Sequence, residues 1–218
     1  MINYAAMRRA MVDSQIRTNR VSDERVISAL REVPRERFVP QRLKGIAYID
    51  EDLEIAAGRY LMEPMVLARL LDTARVRSSD VALDVGSGTG YGATVLARLA
   101  STVVAVEADA ALAGEAGRAL IEAGAENVAV MGGPPLAGFP GQAPYDVILI
   151  EGAVEAIPEA LLTQLGEDGR LVAVIRRRGE VGQAVLVERH HGLVSRRVLF
   201  DASIQPLVEP SREPSFTF

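Results

Sequence analysis

Apolar positions along this chain repeat first at helical spacing and later in strand-like blocks. Between residues 3 and 19, Tyr4, Met7, Met11 and Ile16 stand among polar residues in a weak helical rhythm. Val26, Ile27, Leu30 and Val33 recur more sharply. They predict a helix that buries one face, with Ser22 as N-cap, Asp23 and Glu24 in its first turn, and Pro34 at its end. Residues 35–52 show no regular period, and a third helix is expected from Pro64, a favoured first-turn residue, to about Arg75. Beyond that the pattern alternates. Strands are predicted over 81–85, 102–107, 127–131, 145–151 and 170–175, with helices over 90–100, 110–123 and 155–165, the middle one stopped by Gly124. Strands separated by helices imply a parallel, doubly wound, Rossmann-like α/β sheet. No helix separates the strands expected at 183–189 and 195–201, and His190-His191-Gly192 lies between them, so this end reads as an antiparallel hairpin. The chain divides accordingly into an N-terminal helical extension with a loop (1–76), an α/β domain (77–203) and an extended tail (204–218) containing Pro206, Pro210 and Pro214.

Composition narrows the function classes. At 218 residues and 49% hydrophobic content, the chain can bury a full α/β core. The absence of cysteine excludes disulfides, a thiolate nucleophile and a cysteine–zinc site. A net charge of −5 disfavours a generic nucleic-acid binder, whose phosphate contacts need a basic surface. Arg176, Arg177 and Arg178 form the one compact basic run and are expected at a solvated strand end. No apolar run has the length of a membrane span, and the start of the chain does not read as a signal peptide, so a cytoplasmic, membrane-free protein is expected.

The chemistry concentrates in residues 81–107. Val81-Ala-Leu-Asp-Val-Gly-Ser-Gly-Thr-Gly-Tyr91 is a short strand, a glycine turn and a helix start, and Thr102–Val106 is a second strand ending in Glu107. Glycines allow a ligand to approach the backbone closely. An acidic side chain at the tip of the second strand can accept hydrogen bonds from both hydroxyls of a ribose. A dinucleotide turn would carry G-x-G-x-x-G, with its third glycine where this chain has Tyr91. The observed G-x-G-x-G, preceded by Asp84, resembles instead the S-adenosylmethionine loop of class I methyltransferases, since a carboxylate suits a ligand carrying a sulfonium and an ammonium. Asp84, Gly86, Ser87, Gly88, Gly90, Tyr91 and Glu107 are the expected cofactor-binding residues. Nicotinamide binding and a purely structural turn are the weaker readings.

Further segments extend the likeness. Val33-Pro-Arg-Glu-Arg-Phe-Val-Pro40, Ala47-Tyr-Ile-Asp50, Val95-Leu-Ala97, Gly124 with Asn127-Val128, Ala143-Pro-Tyr-Asp-Val-Ile148, Ile157-Pro158 and Gly169-Arg-Leu-Val172 occur in order. Together with the glycine loop they resemble the protein-L-isoaspartate O-methyltransferases from about Met11 to Ile175. The resemblance implies a class I methyltransferase sheet of five parallel strands closed by the hairpin. It also implies S-adenosylmethionine as cofactor, and esterification of isoaspartyl residues in damaged proteins or peptides.

Three departures fall on ligand-facing loops. The family's Gly-Gln-Thr-Ile-Ser-Gln-Pro is here Gly58-Arg-Tyr-Leu-Met-Glu-Pro64, so Met62 replaces the serine and Tyr60 the threonine. The family's Gly-Asp-Gly is Gly133-Pro-Pro135, and its Thr-Ala-Ala is Glu151-Gly-Ala153. Catalytic residues are therefore left open, with Arg59, Tyr60, Met62 and Glu151 as the residues expected on the substrate side. Glu151 reads as a carboxylate beside the incoming substrate, as a base for another acceptor, or as a solvated strand end. A carboxylate nucleophile is ionised at neutral pH and needs no general base, so alignment dominates its chemistry. An isoaspartyl carboxyl methyltransferase is the leading reading. Behind it stand a family member with another acceptor and a non-catalytic cofactor-binding member. No metal site is expected: His190 and His191 read as an exposed turn, and Asp50, Glu51, Asp52 and Glu54 as a solvated loop. Asp146 is assigned a local structural role.

Overall fold

A computed structural model describes residues 2–207 of the chain. The first helix, α1 (Tyr4–Met11), is capped by Asn3 and continues through a π-helical turn (Val12–Ile16) and a 3-10 turn (Arg17–Asn19). The weak rhythm over 3–19 reflects this irregularity, because no single helical period spans it. In α2 (Glu24–Glu32), the N-cap is Asp23, whose side chain accepts from the Arg25 amide, and not Ser22. The amides of Ser22 and Asp23 instead donate to Asp72 of α3, a tertiary contact that sets the entry of the helix.

The irregular stretch holds two 3-10 turns, Arg35–Arg37 and Gln41–Ile46, and then a hairpin the sequence reading did not contain: β1 (Leu53–Ala56) and β2 (Arg59–Leu61). Leu53, Ile55 and Leu61 are buried and Gly58 has φ +67°, so alternation around an Ala-Gly turn was the available signal. Helix α3 (Pro64–Ala74) begins at Pro64 as expected.

The main sheet contains β3 (Val81–Val85), β4 (Thr102–Glu107), β5 (Val128–Gly132), β6 (Tyr145–Val154), β7 (Leu165–Ile175), β8 (Gln183–His190) and β9 (Leu193–Asp201). Its spatial order is β5-β4-β3-β6-β7-β8-β9, parallel through the first five and antiparallel through the last two. This is the doubly wound α/β sheet with a terminal antiparallel hairpin. Helices α4 (Tyr91–Ala97), α5 (Ala110–Glu122) and α6 (Glu159–Gln164) connect the parallel strands. Strand β6 outruns its predicted end because pairing continues past a register break between Leu149 and Ala153, and β7 begins before its predicted start because Leu165 pairs with Tyr145 ahead of a second break between Tyr145 and Val147. One hydrophobic cluster runs from Met11 through α3 and the sheet to Ile204, so the N-terminal helices share a core with the sheet.

Of the expected extended tail, Ile204–Leu207 crosses the carboxyl ends of the strands. Pro206 bridges to Ala153, and the Leu207 amide donates to the Ala153 carbonyl at 2.9 Å. The remainder of that expectation, residues 208–218, lies outside the described residues.

Candidate functional site

The strand order reverses direction between β3 and β6, and the carboxyl ends of open α/β sheets at such a point form the usual ligand crevice. Here the crevice is bounded by the glycine turn after β3, Glu107 at the tip of β4, Glu151 near the end of β6, the β1–β2 hairpin and the Ile204–Leu207 strap. Gly86, Gly88 and Gly90 have φ of +77°, +54° and +89°. That region is open to glycine and strained for other residues. A Cβ on Gly90 would stand 3.2 Å from that of Ala116, so this glycine also lets α4 pack against α5. The preceding Val33–Pro40 segment braces the turn, since the Thr89 hydroxyl donates to the Phe38 carbonyl at 2.6 Å.

Glu107 is fully buried and anchored on both oxygens. Oε1 accepts from Arg59 Nη1 at 2.7 Å and from the Asp109 amide at 3.0 Å; Oε2 accepts from Arg59 Nη2 at 2.7 Å and from the Gly88 amide at 2.8 Å. Arg59 Nη2 also donates to the Gly86 carbonyl at 3.2 Å. The bidentate fork on a carboxylate is among the stronger hydrogen-bond arrangements in proteins.

Asp84 and Glu151 form the second charged feature. They are 0% and 5% exposed, and neither Asp84 oxygen makes a hydrogen bond of ordinary geometry to the described residues. Burial pushes the Asp84 carboxyl up to about 7, with Glu107 adding repulsion. Burial and then the charge of Asp84 drive Glu151 well above the usual carboxylate range. Two carboxyl groups sharing a buried site hold at least one proton between them near neutral pH.

The expected site residues separate into two groups. Asp84, Gly86, Gly88, Gly90 and Glu107 converge on the crevice, with Ser87 buried in the turn, its hydroxyl unpartnered among the described residues. Tyr91 instead enters the core, edge-on to Phe38 at 5.5 Å and beneath the Arg35 guanidinium at 4.8 Å. Arg59, Tyr60, Met62 and Glu151 meet around one small void with Asp52 and Leu207. Glu151 is not a solvated strand end; its carboxylate packs where a Cβ on Gly92 would lie. In Gly133-Pro-Pro135 after β5, Gly133 is half-buried, Pro134 is exposed and Pro135 is buried. Asp146 accepts from the Val81 amide at 2.8 Å, the local role assigned to it.

Two expectations outside the crevice need correction. Asp50 and Asp52 are not solvated: Asp50 accepts from the Met65 amide, and Asp52 from the amides of Glu63 and Gln205, so they tie the loop to α3 and to the strap. Glu51 and Glu54 remain exposed. Arg176 donates to the Ile204 carbonyl at 2.9 Å and so anchors the strap, leaving only Arg177 and Arg178 exposed. The histidines do lie in an exposed turn, where His190 faces Asp168 at 2.7 Å and Glu167 accepts from the turn amides.

Sequence reasoning assigned no role to Arg35, the largest fully buried side chain. Its Nε donates to the Ala47 carbonyl and its Nη2 to the Met62 carbonyl, each at 2.8 Å, so it fixes the loop that carries Arg59 through Met62. Residue type alone gives no signal for it, because Arg35 stands with Glu36 and the exposed Arg37 in a charged triplet. Glu63, beside Met62, is pushed up to about 7 by partial burial and by Asp52, Asp50 and Glu51.

The donor set of the crevice fits an S-adenosyl cofactor. An acidic tip faces the glycine turn, and an unpartnered buried carboxylate lies behind it. The room is another matter. Arg59 covers Glu107, and Leu207 Cδ1 fills the place where a Cβ on Gly86 would stand. The void between Arg59, Met62, Glu151 and Leu207 is about 10 Å³, the space of about one water.

The sequence model of the family described as Protein-L-isoaspartate(D-aspartate) O-methyltransferase (PCMT) matches residues 6–211. A Protein-L-isoaspartate O-methyltransferase of Methanoculleus marisnigri is 41% identical over 168 residues, 77% of this chain and 76% of that protein. One from Methylorubrum extorquens is 44% identical over 168 residues, 77% of this chain and 73% of its own length. A solved Protein-L-isoaspartate O-methyltransferase superposes with a TM-score of 0.78 at 26% identity, over 91% of this chain and 65% of that chain. The fold is shared with a Plasmodium falciparum structure described as a putative member of the same family in complex with S-adenosyl-L-homocysteine, at a TM-score of 0.79 and 18% identity over 96% of this chain and all of that one.

Proposed function

The chain belongs to the protein-L-isoaspartate(D-aspartate) O-methyltransferase family, and from that premise we propose that it is an S-adenosylmethionine-dependent carboxyl methyltransferase esterifying L-isoaspartyl or D-aspartyl residues of damaged proteins and peptides. The observation that carries the reading is the buried Glu107 carboxylate facing the Gly86–Gly88 turn, one strand from Asp84.

Glu107 would hold the ribose hydroxyls, the backbone of Gly86, Ser87 and Gly88 would line the cofactor, and Asp84 would offset its positive charge. When bound, the cofactor supplies an electrophilic methyl group. The protein's own contribution is alignment of a carboxylate that is already a nucleophile, together with exclusion of water. Arg35 orients the loop through the Met62 carbonyl, the Ile204–Leu207 strap closes the crevice, and a protonated Glu151 avoids repelling an incoming carboxylate. No step requires a hydroxyl at position 62, where the side chain is a buried methionine.

Among the described residues no helix is long and apolar enough to cross a membrane. Together with the absence of cysteine and the net charge of −5, this supports a cytoplasmic enzyme acting on proteins and not on nucleic acid.

The closed crevice favours a second reading, a member that binds the cofactor for another acceptor or without turnover. Transfer of labelled methyl to an isoaspartyl peptide, with the normal aspartyl peptide as control, separates the two. Transfer confined to the isoaspartyl peptide is expected. Cofactor binding without such transfer selects the second reading.

A further inference from the structure

We infer that Arg59 is a built-in competitor for the ribose subsite, its guanidinium standing on Glu107 where the two hydroxyls of a nucleoside cofactor would stand. The inference rests on the cofactor reading above and concerns what this chain adds to it.

A carboxylate offers about four acceptor positions. On Glu107 all four are in use, two by the amides of Gly88 and Asp109 that fix its orientation and two by Arg59. A ribose therefore cannot bind Glu107 while Arg59 does. The guanidinium is held additionally by the Gly86 carbonyl, so it lies across the glycine turn as well as across the acidic tip.

Position 59 is well suited to such an exchange. It begins β2, directly after the Ala57-Gly58 turn, and pairs with Ala56 beyond a register shift in the short hairpin. The Arg59 side chain keeps 16% of its surface exposed whereas Glu107 keeps none, so the guanidinium can leave toward the crevice mouth while its partner stays in place. Asp52 and the carboxyl of Glu151 lie on that side and offer oxygen acceptors to the released guanidinium at the crevice mouth. Cofactor entry thus moves a positive charge from the nucleoside subsite to the side where a substrate carboxylate arrives, which orders cofactor before substrate.

The test is calorimetric titration of the full chain with S-adenosylhomocysteine, comparing the native protein with Arg59→Gln and Arg59→Lys, each checked for an unchanged circular dichroism spectrum. Arg59→Gln is expected to bind at least tenfold more tightly. Arg59→Lys, which offers a point charge and no fork, is expected to fall between. The gain is expected to shrink when the probe is the 2′-deoxy analogue. Equal affinity in the native protein and both variants overturns the inference and leaves the proposed function standing. Weaker binding by Arg59→Gln also overturns it, making Arg59 a cofactor-holding residue. No binding by any of the three overturns the inference and the cofactor reading together.

Discussion

Asp84 and Glu151 lie against one another at the carboxyl ends of two neighbouring parallel strands, both buried, with Arg35 and Arg59 as the nearby cations. Asp84 is the penultimate residue of β3 in the glycine motif, and Glu151 stands on β6 in place of a family threonine. The pair makes the crevice floor a proton-sharing site.

This pair predicts how stability depends on pH. The folded state raises both carboxyls, Asp84 to about 7, and Glu63 is raised to about 7 as well. Between the unfolded value of about 4 and these values the folded protein binds more protons than the unfolded chain. Stability therefore falls as pH rises through that window. Unfolding midpoints between pH 5 and 8 are expected to decline, and Glu151→Gln is expected to flatten the decline. At pH 8 this variant should gain about 2–4 °C in Tm, the shift per kcal/mol for a domain of this size, and less at pH 5. A native profile that is flat or rises toward pH 8 refutes this account.

Glu107→Ala is expected to cost about tenfold in S-adenosylhomocysteine affinity: the loss of two hydrogen bonds to a charged acceptor, at about 1.5 kcal/mol each, is about 100-fold, offset by the roughly tenfold no longer spent displacing Arg59. It also strips an acceptor from Arg59 and from the Gly88 and Asp109 amides, so the unliganded protein should melt earlier. Calorimetry and thermal melts read the two effects separately. Undiminished affinity would remove Glu107 from the cofactor site.

Gly86→Val is expected to abolish cofactor binding while the sheet remains folded. The new side chain would collide with Leu207 and sit at φ +77°. Retained affinity, measured on protein with a native far-ultraviolet spectrum, would show that the cofactor does not contact this turn.

Met62→Ser restores the family's hydroxyl. If that hydroxyl limits transfer, initial rates on the isoaspartyl peptide should rise at least about 30-fold, the equivalent of the roughly 2–4 kcal/mol that a single donor contributes. Met62 is 2% exposed, so the smaller side chain leaves a cavity and should destabilise the fold by about 2–4 kcal/mol. Rates are therefore compared well below the melting temperature. An unchanged rate points to Glu151 or to another acceptor.

Arg35→Met is expected to destabilise the protein by about 2–4 kcal/mol, because two buried carbonyls, those of Ala47 and Met62, lose their donor. Arg35→Lys should recover only part of this, since one ammonium does not reproduce the guanidinium fork. Urea midpoints measure both variants. Full recovery with lysine would mean that charge, and not the fork, holds the loop.

Much of this was legible in the residues because it depends on local periodicity. Strands of the parallel sheet follow from apolar blocks bounded by helices, and the terminal hairpin from two strands with only His190-His191-Gly192 between them. The glycine turn was visible because positive φ at Gly86, Gly88 and Gly90 is a backbone requirement that writes itself as residue type. The motif also placed Glu107 at the tip of the next strand, because strand length alone sets that position.

What only the tertiary structure decided is which partner each charged side chain meets. Arg59 lies 48 residues from Glu107, and Asp52 lies 153 from Gln205, so no local pattern pairs them. Ser22 has the side chain of an N-cap, yet Asp23 caps α2 because Asp72 of another helix takes the Ser22 amide. Tyr91 adjoins the glycine turn in sequence, yet the direction of the first turn of α4 sends it to Phe38 and Arg35. Periodicity determines which face of an element is buried. The packing of elements against one another determines whether a buried charge meets a ligand, a backbone carbonyl, or an arginine from a hairpin across the crevice.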